Sequence, residues 1–257
     1  MVPYSRLRET NVEGTSRVLE LAAAAAAPVH YVSTVGVFAP TGEVRTEQSP
    51  TGPVEGLSTA YAQSKWVAEQ RVLRARASGL PVRIYRPARI TGSTTTGACR
   101  PDDLFWRVVL GAIQLSEVPA DPGLRVDLVA VDEVAAAIVD LSVGGYVGET
   151  YHLSHGTGTS LDAVVRVLRG LGYRLGRTTM DRWLGRLKGE PGNAAASLVP
   201  LLDWQGALDV PLSSESTRRA LNEVDAILRP VTDEMLARTV EFFIRTGQFP
   251  RPGTSRP

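Results

Sequence analysis

Short runs of apolar residues alternate along the chain with longer segments in which apolar residues recur every three or four positions. Two of the short runs, "VHYVST" (Val29–Thr34) and "VRIYRP" (Val82–Pro87), are rich in β-branched and aromatic residues. Such runs are typical of buried strands. Because the runs at Leu124–Val131 and Glu149–Ser154 have the same character, we predict strands there too.

The longer segments have the spacing of amphipathic helices. Ser58 is a suitable N-cap for the second of them, and Gly79 and Pro81 would end it. Past Gly172 we expect no further strands, and predict helices interrupted by prolines. The predicted helices before that point are Ser5–Ala27, Ser58–Ser78, Asp102–Leu115, Asp132–Ser142 and Ser160–Leu171.

This alternation predicts an α/β fold in which helices flank a parallel sheet. We expect residues 1–155 to form that core, with a loop region near 91–125, and residues 156–257 to form a smaller, mostly helical region. Parallel sheets place their chemistry at the carboxyl ends of the strands. The first two strands end at Ser33–Thr34 and at Arg86–Pro87, so a site is predicted at these positions.

Composition excludes several classes of function. The formal charge of +1 over 257 residues provides no basic surface for nucleic acid or for an anionic membrane. Cys99 is the single cysteine and the three histidines lack metal-site spacing, so we predict no disulfide and no metal. No apolar run approaches the roughly 18 residues of a membrane span. A cytoplasmic protein is therefore expected.

The segment "STAYAQSKWVAEQ" (Ser58–Gln70) places Tyr61 four residues before Lys65. At that spacing the two side chains lie on one face of a helix. A free phenol has a pKa near 10, and a neighbouring ammonium lowers it by favouring the phenolate. A strand-end hydroxyl, Thr34 or Ser33, would hold a carbonyl that receives the proton. The alternative is the outer surface of an ordinary helix, with a packed tyrosine and a solvated lysine.

Lysine is rare in this chain, which favours the chemical interpretation. Among 28 basic residues, Lys65 and Lys188 are the two lysines, and the others are arginine. A compact ammonium at this position indicates chemistry that a guanidinium serves poorly.

Five segments in order, "NVEGTSRVLELA", "HYVSTVGVF", "YAQSKWVAEQ", "RIYRPARITG" and "VDLVAVDEVAAAIV", resemble the extended short-chain dehydrogenase/reductase superfamily. The chain is most similar to the thioester reductase domains that end nonribosomal peptide synthetases and carboxylic acid reductases. The closing "FFIRTGQFPRP" is similar to the end of that family. The resemblance implies a Rossmann-type sheet followed by a substrate- and carrier-facing region.

The resemblance also implies roles for individual residues. Thr34 would donate a hydrogen bond to the substrate carbonyl, Tyr61 would be the general acid, and Lys65 would bind the nicotinamide ribose. Asn11 would lie behind Lys65, and backbone atoms near Pro87 and Ile90 would line the nicotinamide end of the cofactor. The implied cofactor is NADPH, and the implied partner is an acyl or peptidyl carrier protein.

The family pattern begins with a strand, a Gly-x-x-Gly-x-x-Gly turn and a helix that binds pyrophosphate. This sequence matches the pattern from about its fourth helix onward, so we expect a truncated core with an exposed sheet edge, an aggregation hazard unless it is covered. An upstream start, a homodimer or partner that covers the edge, and a decayed remnant all fit. Two glycine clusters, Ser154–Ser160 and Gly170–Gly176, are weak substitutes for the phosphate loop, and the second is better interpreted as a helix C-cap.

Three functions therefore stay open. The first is reductive release of a carrier-bound thioester as an aldehyde or alcohol, with Arg174, Arg177, Arg182 and Arg186 facing an acidic carrier or simply solvated. The second is another reaction of the superfamily, an epimerase, dehydratase or ketoreductase. The third is a cofactor-free binding or docking module.

Overall fold

The computed structural model describes residues 2–120, 125–144, 148–202 and 210–253. Short 3₁₀ turns occur at Val35–Val37, Val54–Gly56 and Ala196–Leu198. The α-helices of the described part are α1 (Tyr4–Leu7), α2 (Gly14–Ala24), α3 (Ala60–Ala77), α4 (Leu104–Leu115), α5 (Val131–Gly144), α6 (Leu161–Gly170), α7 (Met180–Gly189), α8 (Val199–Leu202), α9 (Glu215–Asn222) and α10 (Asp233–Arg245). The strands are β1 (Val29–Val32), β2 (Val82–Pro87), β3 (Arg89–Thr91), β4 (Glu117–Pro119), β5 (Arg125–Val126), β6 (Leu128–Ala130), β7 (Thr150–Leu153), β8 (Thr159–Ser160) and β9 (Gly176–Thr178).

The central sheet has three parallel strands in the order β1-β2-β7. Val29 lies opposite Val82 in the first pair, and Ile84 lies opposite Thr150 in the second. Every residue of β2 is buried, as expected for the middle strand of a parallel sheet, and this includes Arg83 and Arg86. The predicted parallel sheet flanked by helices is confirmed.

Two strand predictions differ from the structure. The run at Leu124–Val131 does contain strand, but Asp127 separates β5 from β6, and β5 pairs antiparallel with β8 instead of joining the central sheet; Leu124 lies outside the described residues. Strand propensity indicates an extended backbone without specifying the strand that it pairs with. The expectation of no strands past Gly172 fails at β9, which pairs with β4. The three residues of β9 have no apolar pattern, so the local sequence does not predict a strand there. The strand forms because it pairs with β4, which is distant in sequence.

The first helix departs from regular geometry in its middle. Between α1 and α2 the chain forms a π-helical segment, Arg8–Glu13, in place of the continuous predicted α-helix. Asn11 lies inside this wider turn. Because π-helical turns are rare and often occur at functional sites, the position of Asn11 agrees with a role near the site.

Helix α3 begins one residue later than predicted. The side chain of Thr59, not that of Ser58, accepts a hydrogen bond from the Ala62 amide at 3.1 Å. The capping side chain belongs to the last non-helical residue, from which it reaches the amide three positions on. The helix ends as predicted before Gly79, whose φ of 98° lies in the left-handed region.

The chain divides into two compact units. The first comprises Met1–Ile90, Glu133–Gly156 and Ala207–Arg229, and the second comprises the remaining segments. Both units are discontinuous in sequence, with residues 91–132 in the second and residues 210–229 in the first, and the predicted division near residue 155 stays a prediction.

Each unit has its own core. In the first unit Leu19, Val29, Val72, Val82 and Ile84 pack the sheet against α2 and α3. In the second, the aromatic rings of Trp106, Phe243 and Phe249 pack against one another at centroid distances of 4.8–6.3 Å; Trp106 meets both phenylalanines edge to face, and the two phenylalanines are stacked. The apolar faces of the surrounding helices pack onto each of these cores and are buried there.

The described ranges contain neither a candidate membrane span nor a candidate metal cluster. None of the helices there is long and apolar enough to cross a membrane. The same residues contain no group of three or more His, Cys, Asp or Glu side chains that could hold a metal ion.

Candidate active site

Lys65 extends from α3 to the carboxyl end of β1. Its Nζ donates a hydrogen bond to the Val32 carbonyl oxygen at 2.8 Å and lies 4.4 Å from the centroid of the Tyr31 ring. Both contacts favour a cation, because a carbonyl oxygen and the face of an aromatic ring each carry partial negative charge. The lysine is therefore held at the strand end where the sequence predicts chemistry.

Tyr61 lies one helical turn before Lys65, with 51% of the residue exposed. Its backbone oxygen accepts a hydrogen bond from Ser64 Oγ at 2.8 Å. The Ser64 hydroxyl in turn accepts one from Asn11 Nδ2 at 2.9 Å. Asn11 thus connects the π-helical segment to α3 through Ser64, on the turn that separates Tyr61 from Lys65.

Thr34 lies just past the end of β1 and caps the 3₁₀ turn Val35–Val37. Its Oγ1 accepts a hydrogen bond from the Gly36 amide at 3.1 Å, an arrangement that fixes the side chain while leaving the hydroxyl hydrogen available to donate. Helix α3 packs against this turn. The structure therefore brings the Thr34 turn, the end of β1 and the Tyr61–Lys65 helix together within the first unit.

The two backbone positions predicted to line a cofactor occupy different environments. Pro87 is buried at the end of β2, opposite Leu153, whereas Ile90 is 36% exposed in β3. Between them lies Ala88. Ala88 is buried, and its amide donates to the Leu153 oxygen at 2.9 Å. Its methyl group is accommodated by the fold.

The electrostatics of this region centre on Lys65 and Glu69. Burial lowers the pKa of Lys65 to about 8, and the nearby Glu69 carboxylate opposes that shift. Burial also raises the pKa of the Tyr31 phenol, as do the charges of Glu69 and Tyr61. Tyr31 is therefore a neutral phenol at physiological pH, and its ring rather than its oxygen supports the ammonium.

A buried polar network next to the site was missed by the sequence reasoning. Ser33, the alternative to Thr34 as carbonyl donor, has its hydroxyl hydrogen-bonded to the Glu69 carboxylate. Arg86 donates to Glu69 Oε1 from Nε at 3.1 Å and from Nη2 at 2.5 Å. Because the Ser33 hydroxyl is engaged in this network, Thr34 is the better candidate of the two strand-end hydroxyls. The available signal was the i, i+4 spacing of Lys65 and Glu69 on one predicted helix.

The network continues to His152 on β7. Arg86 Nη1 lies 3.3 Å from His152 Nε2, and His152 Nδ1 lies 3.0 Å from the Ser213 carbonyl oxygen. Since a guanidinium can only donate, Nε2 accepts and Nδ1 carries the proton. Burial, followed by the Arg86 charge, lowers the pKa of His152 to about 4. His152 is thus a neutral structural group at pH 7.

The two glycine clusters have local structural roles. Ser160 Oγ caps α6 by accepting from the Ala163 amide at 3.1 Å. After α6, Gly172 has a φ of 96° and Tyr173 N donates to Leu168 O at 3.0 Å. This pattern confirms the predicted helix C-cap at Gly170–Gly176.

Comparison with known proteins identifies the family. The model of the NAD-binding family described as male sterility protein matches residues 1–138. A linear gramicidin synthase polypeptide from Brevibacillus parabrevis is 37% identical over 261 residues, which are 96% of this chain and 5% of that protein. Glycine betaine reductase ATRR from Emericella nidulans is 32% identical over 253 residues, 92% of this chain and 20% of that protein. The chain thus spans a fifth or less of the length of these two relatives.

Among solved structures, the terminal R domain from the myxalamid PKS-NRPS biosynthetic pathway superposes with a TM-score of 0.88. It is 33% identical, and the match covers 98% of this chain and 66% of that domain. The matches confirm the resemblance inferred from the five sequence segments. The chain belongs to the NAD-binding male sterility protein family and is similar within it to the terminal reductase domains of nonribosomal peptide synthetases.

Proposed function

We propose that the chain supplies the catalytic acid and its supporting groups to an NADPH-dependent thioester reductase that releases a carrier-bound acyl or peptidyl thioester as an aldehyde or alcohol. The observation that carries the proposal is the Lys65 ammonium bound at the carboxyl end of β1, one turn from the half-exposed Tyr61. Similarity to the myxalamid terminal R domain supports this reaction class over other reactions of the superfamily.

The residues present fit the nicotinamide-ribose end of the cofactor. Lys65 uses one of its three N–H groups on Val32, so further donors are available for ribose hydroxyls. Backbone atoms near Pro87 and Ile90 would line the ring, and Asn11 would support Lys65 through Ser64. When bound, NADPH would supply a hydride to the thioester carbonyl carbon.

The protein's own groups would handle the oxygen and the proton. The Thr34 hydroxyl, oriented by the Gly36 amide, would donate a hydrogen bond to the carbonyl oxygen. Tyr61 would donate its proton to that oxygen as negative charge develops on it. The adjacent Lys65 cation would stabilise the phenolate that remains. The resulting hemithioacetal then collapses: its hydroxyl loses the proton as the carbon–sulfur bond breaks, the carrier sulfur takes up a proton and leaves as a thiol, and the carbonyl re-forms as an aldehyde.

A titration of the full chain with NADPH, followed by nucleotide fluorescence, tests the proposal. We expect saturable binding, and release of an aldehyde when an acyl-pantetheine thioester is added. NADH in a parallel titration measures the preference between the two cofactors. Absence of saturable binding would contradict reductase activity of this chain and favour the docking module.

We infer that the carrier protein contacts arginines of the second unit. Arg177 and Arg186 are engaged in ion pairs, with Asp162 and Glu117 respectively, whereas Arg174 and Arg182 are exposed. An acidic carrier would therefore meet the last two arginines. Rim charges of this kind act mainly on the association rate.

Reversing both charges, Arg174→Glu with Arg182→Glu, tests the carrier surface. Turnover of a carrier-bound thioester is expected to fall about tenfold at low salt, whereas turnover of a free pantetheine thioester stays unchanged. Arg17→Glu, a change at an exposed arginine of α2, is the matched control. Equal turnover of the carrier-bound substrate in all three proteins would exclude this surface.

We also propose that the open edge of β1 is covered by a second copy of the chain or by a partner polypeptide. Within the residues that the structure describes, β1 pairs with β2 and has no strand on its other edge. An unpaired strand edge favours strand addition. Light scattering over a range of concentrations would show a dimer if a second copy covers the edge. A monomer at every concentration would exclude the second copy and favour a separate partner polypeptide.

A further inference from the structure

A single carboxylate joins the elements that carry the proposed catalytic groups. Glu69 lies one turn beyond Lys65 on α3 and is fully buried. It accepts hydrogen bonds from Ser33 at the end of β1 and from Arg86 at the end of β2. Buried carboxylates are rare and require such partners, so this one has a defined structural environment.

We propose that Glu69 is a positioning residue for the reaction, one that fixes the Ser33–Thr34 strand end against α3 and keeps Lys65 cationic. The inference rests on the proposed function, since Thr34, Tyr61 and Lys65 are the groups that it positions. Glu69 touches neither substrate nor cofactor in this account; it acts through Ser33 and Lys65.

The positional part of the inference follows from the bonds of Ser33. Its amide donates to the Tyr85 oxygen at 2.6 Å, and its hydroxyl donates to Glu69. Two bonds in different directions restrain the residue immediately before Thr34. A displacement of about 1 Å at a reacting group costs on the order of a hundredfold in rate, so this restraint has catalytic consequences.

The electrostatic part concerns the charge of Lys65. Val32 and Tyr31 contact the ammonium from β1, while Tyr61 and Glu69 flank it on α3. Burial disfavours the cation, and Glu69 is the anionic group that opposes this effect. Arg86 is paired with Glu69 from β2 and weakens its field at Lys65 without removing it.

An alternative is that Glu69 and Arg86 form an ion pair that serves folding alone. Breaking a buried pair destabilises a protein in either case, so stability does not separate the two interpretations. The pKa of Lys65 does separate them, because a pair in which Arg86 fully compensates the charge of Glu69 leaves that pKa unchanged when the carboxylate is removed.

The chain allows a direct measurement of this pKa. Labelling with lysine that carries ¹³C at Cε gives two signals, from Lys65 and from the exposed Lys188. In Glu69→Gln, which keeps the shape and the ability to hydrogen-bond but removes the charge, we expect the Lys65 titration to move about one unit below that of the wild type. The Lys188 signal serves as the internal reference. An unchanged Lys65 titration in a folded Glu69→Gln protein would overturn the electrostatic role.

A matched control is available at Glu13, which pairs with Arg71 at 3.2 Å near the surface. Glu13→Gln removes a carboxylate from a Glu–Arg pair elsewhere and should leave the Lys65 titration in place. A shift as large in Glu13→Gln as in Glu69→Gln would show a general effect of charge removal and overturn the assignment.

Ser33→Ala tests the positional role and leaves the buried Glu69–Arg86 ion pair intact. This test therefore stays available if Glu69→Gln does not fold. We expect the Gly36 amide, which donates to Thr34, to exchange with solvent about tenfold faster, and kcat to fall about tenfold with the KM for NADPH unchanged. Unchanged amide exchange would overturn the restraint on Thr34. Neither the titration nor the exchange measurement needs turnover, so failure of the reductase function leaves both decisive.

Discussion

The ammonium of Lys65 is bound by groups from a strand and from its own helix. It has a carbonyl acceptor at 2.8 Å, an aromatic face at 4.4 Å and a nearby carboxylate, yet burial still lowers its pKa to about 8. A lysine in this state is cationic at pH 7 and close to releasing its proton. Such a group can stabilise a phenolate while it is cationic, and it can also release its proton at a pH only slightly above neutral.

The lowered pKa of Lys65 has a consequence for stability. Between pH 8 and 10.5 the unfolded chain holds a proton that the folded protein has released. The free energy of unfolding of the wild type should therefore rise through this window relative to that of Lys65→Met. Urea titrations at pH 7, 8, 9 and 10 measure it, with Lys188→Met as the control. Parallel pH profiles for wild type and Lys65→Met would contradict the shift.

At the scale of single residues, the sequence predicted which residues lie at the strand end but not which contacts they make. The rarity of lysine and the Tyr61–Lys65 spacing singled out a pair that the structure places at a strand end. Assignment of catalytic roles to Thr34, Tyr61 and Lys65 stays a prediction. The network of Glu69, Arg86 and His152 was not predictable, because it joins residues up to 83 positions apart whose pairing depends on the fold.

At the scale of elements, helix α3 carries the site, and its start is defined by one side chain. Thr59 Oγ1 caps the helix, whereas Ser58, the residue that the sequence suggested, has no capping bond. Thr59→Ala should lower the free energy of unfolding by about 1 kcal/mol, and Ser58→Ala should change it by only a few tenths. Urea denaturation of the two variants decides this, and a larger loss in Ser58→Ala would reverse the assignment.

Local pattern also explains which elements could be predicted. The strands of the central sheet are rich in β-branched and aromatic residues, and β2 and β7 are buried throughout, so the extent of the three strands was predicted to within two residues. β9 and the split of β5 from β6 depend on pairing with distant strands, a tertiary effect that local propensity does not contain. The π-helical segment around Asn11 has no signal in helix periodicity.

At the scale of the whole molecule, the buried network makes the first unit sensitive to acid. His152 is fully buried among Arg86, Phe38 and the Ser213 carbonyl, with Glu47 and Glu69 nearby. Its pKa of about 4 lies below the ordinary 6.5, so the unfolded chain takes up a proton first as the pH falls. Stability should therefore decline between pH 6.5 and 4.

The loss due to His152 should reach about 3 kcal/mol at pH 4, from about 1.4 kcal/mol for each unit of pKa shift. Comparison of urea unfolding for wild type and His152→Gln over this pH range isolates the contribution, and His155→Gln is the control. A His152→Gln protein with the same pH dependence as the wild type would show that other groups dominate the acid response.

The central claim is that Tyr61 donates the proton in a reductive release, and one measurement tests it most directly. Aldehyde formation from an acyl-pantetheine thioester with NADPH is compared for wild type and Tyr61→Phe, alongside NADPH affinity in each. We expect turnover to fall by about 10²–10⁴-fold in Tyr61→Phe, with the affinity for NADPH nearly unchanged. Equal turnover in the two proteins would contradict the account.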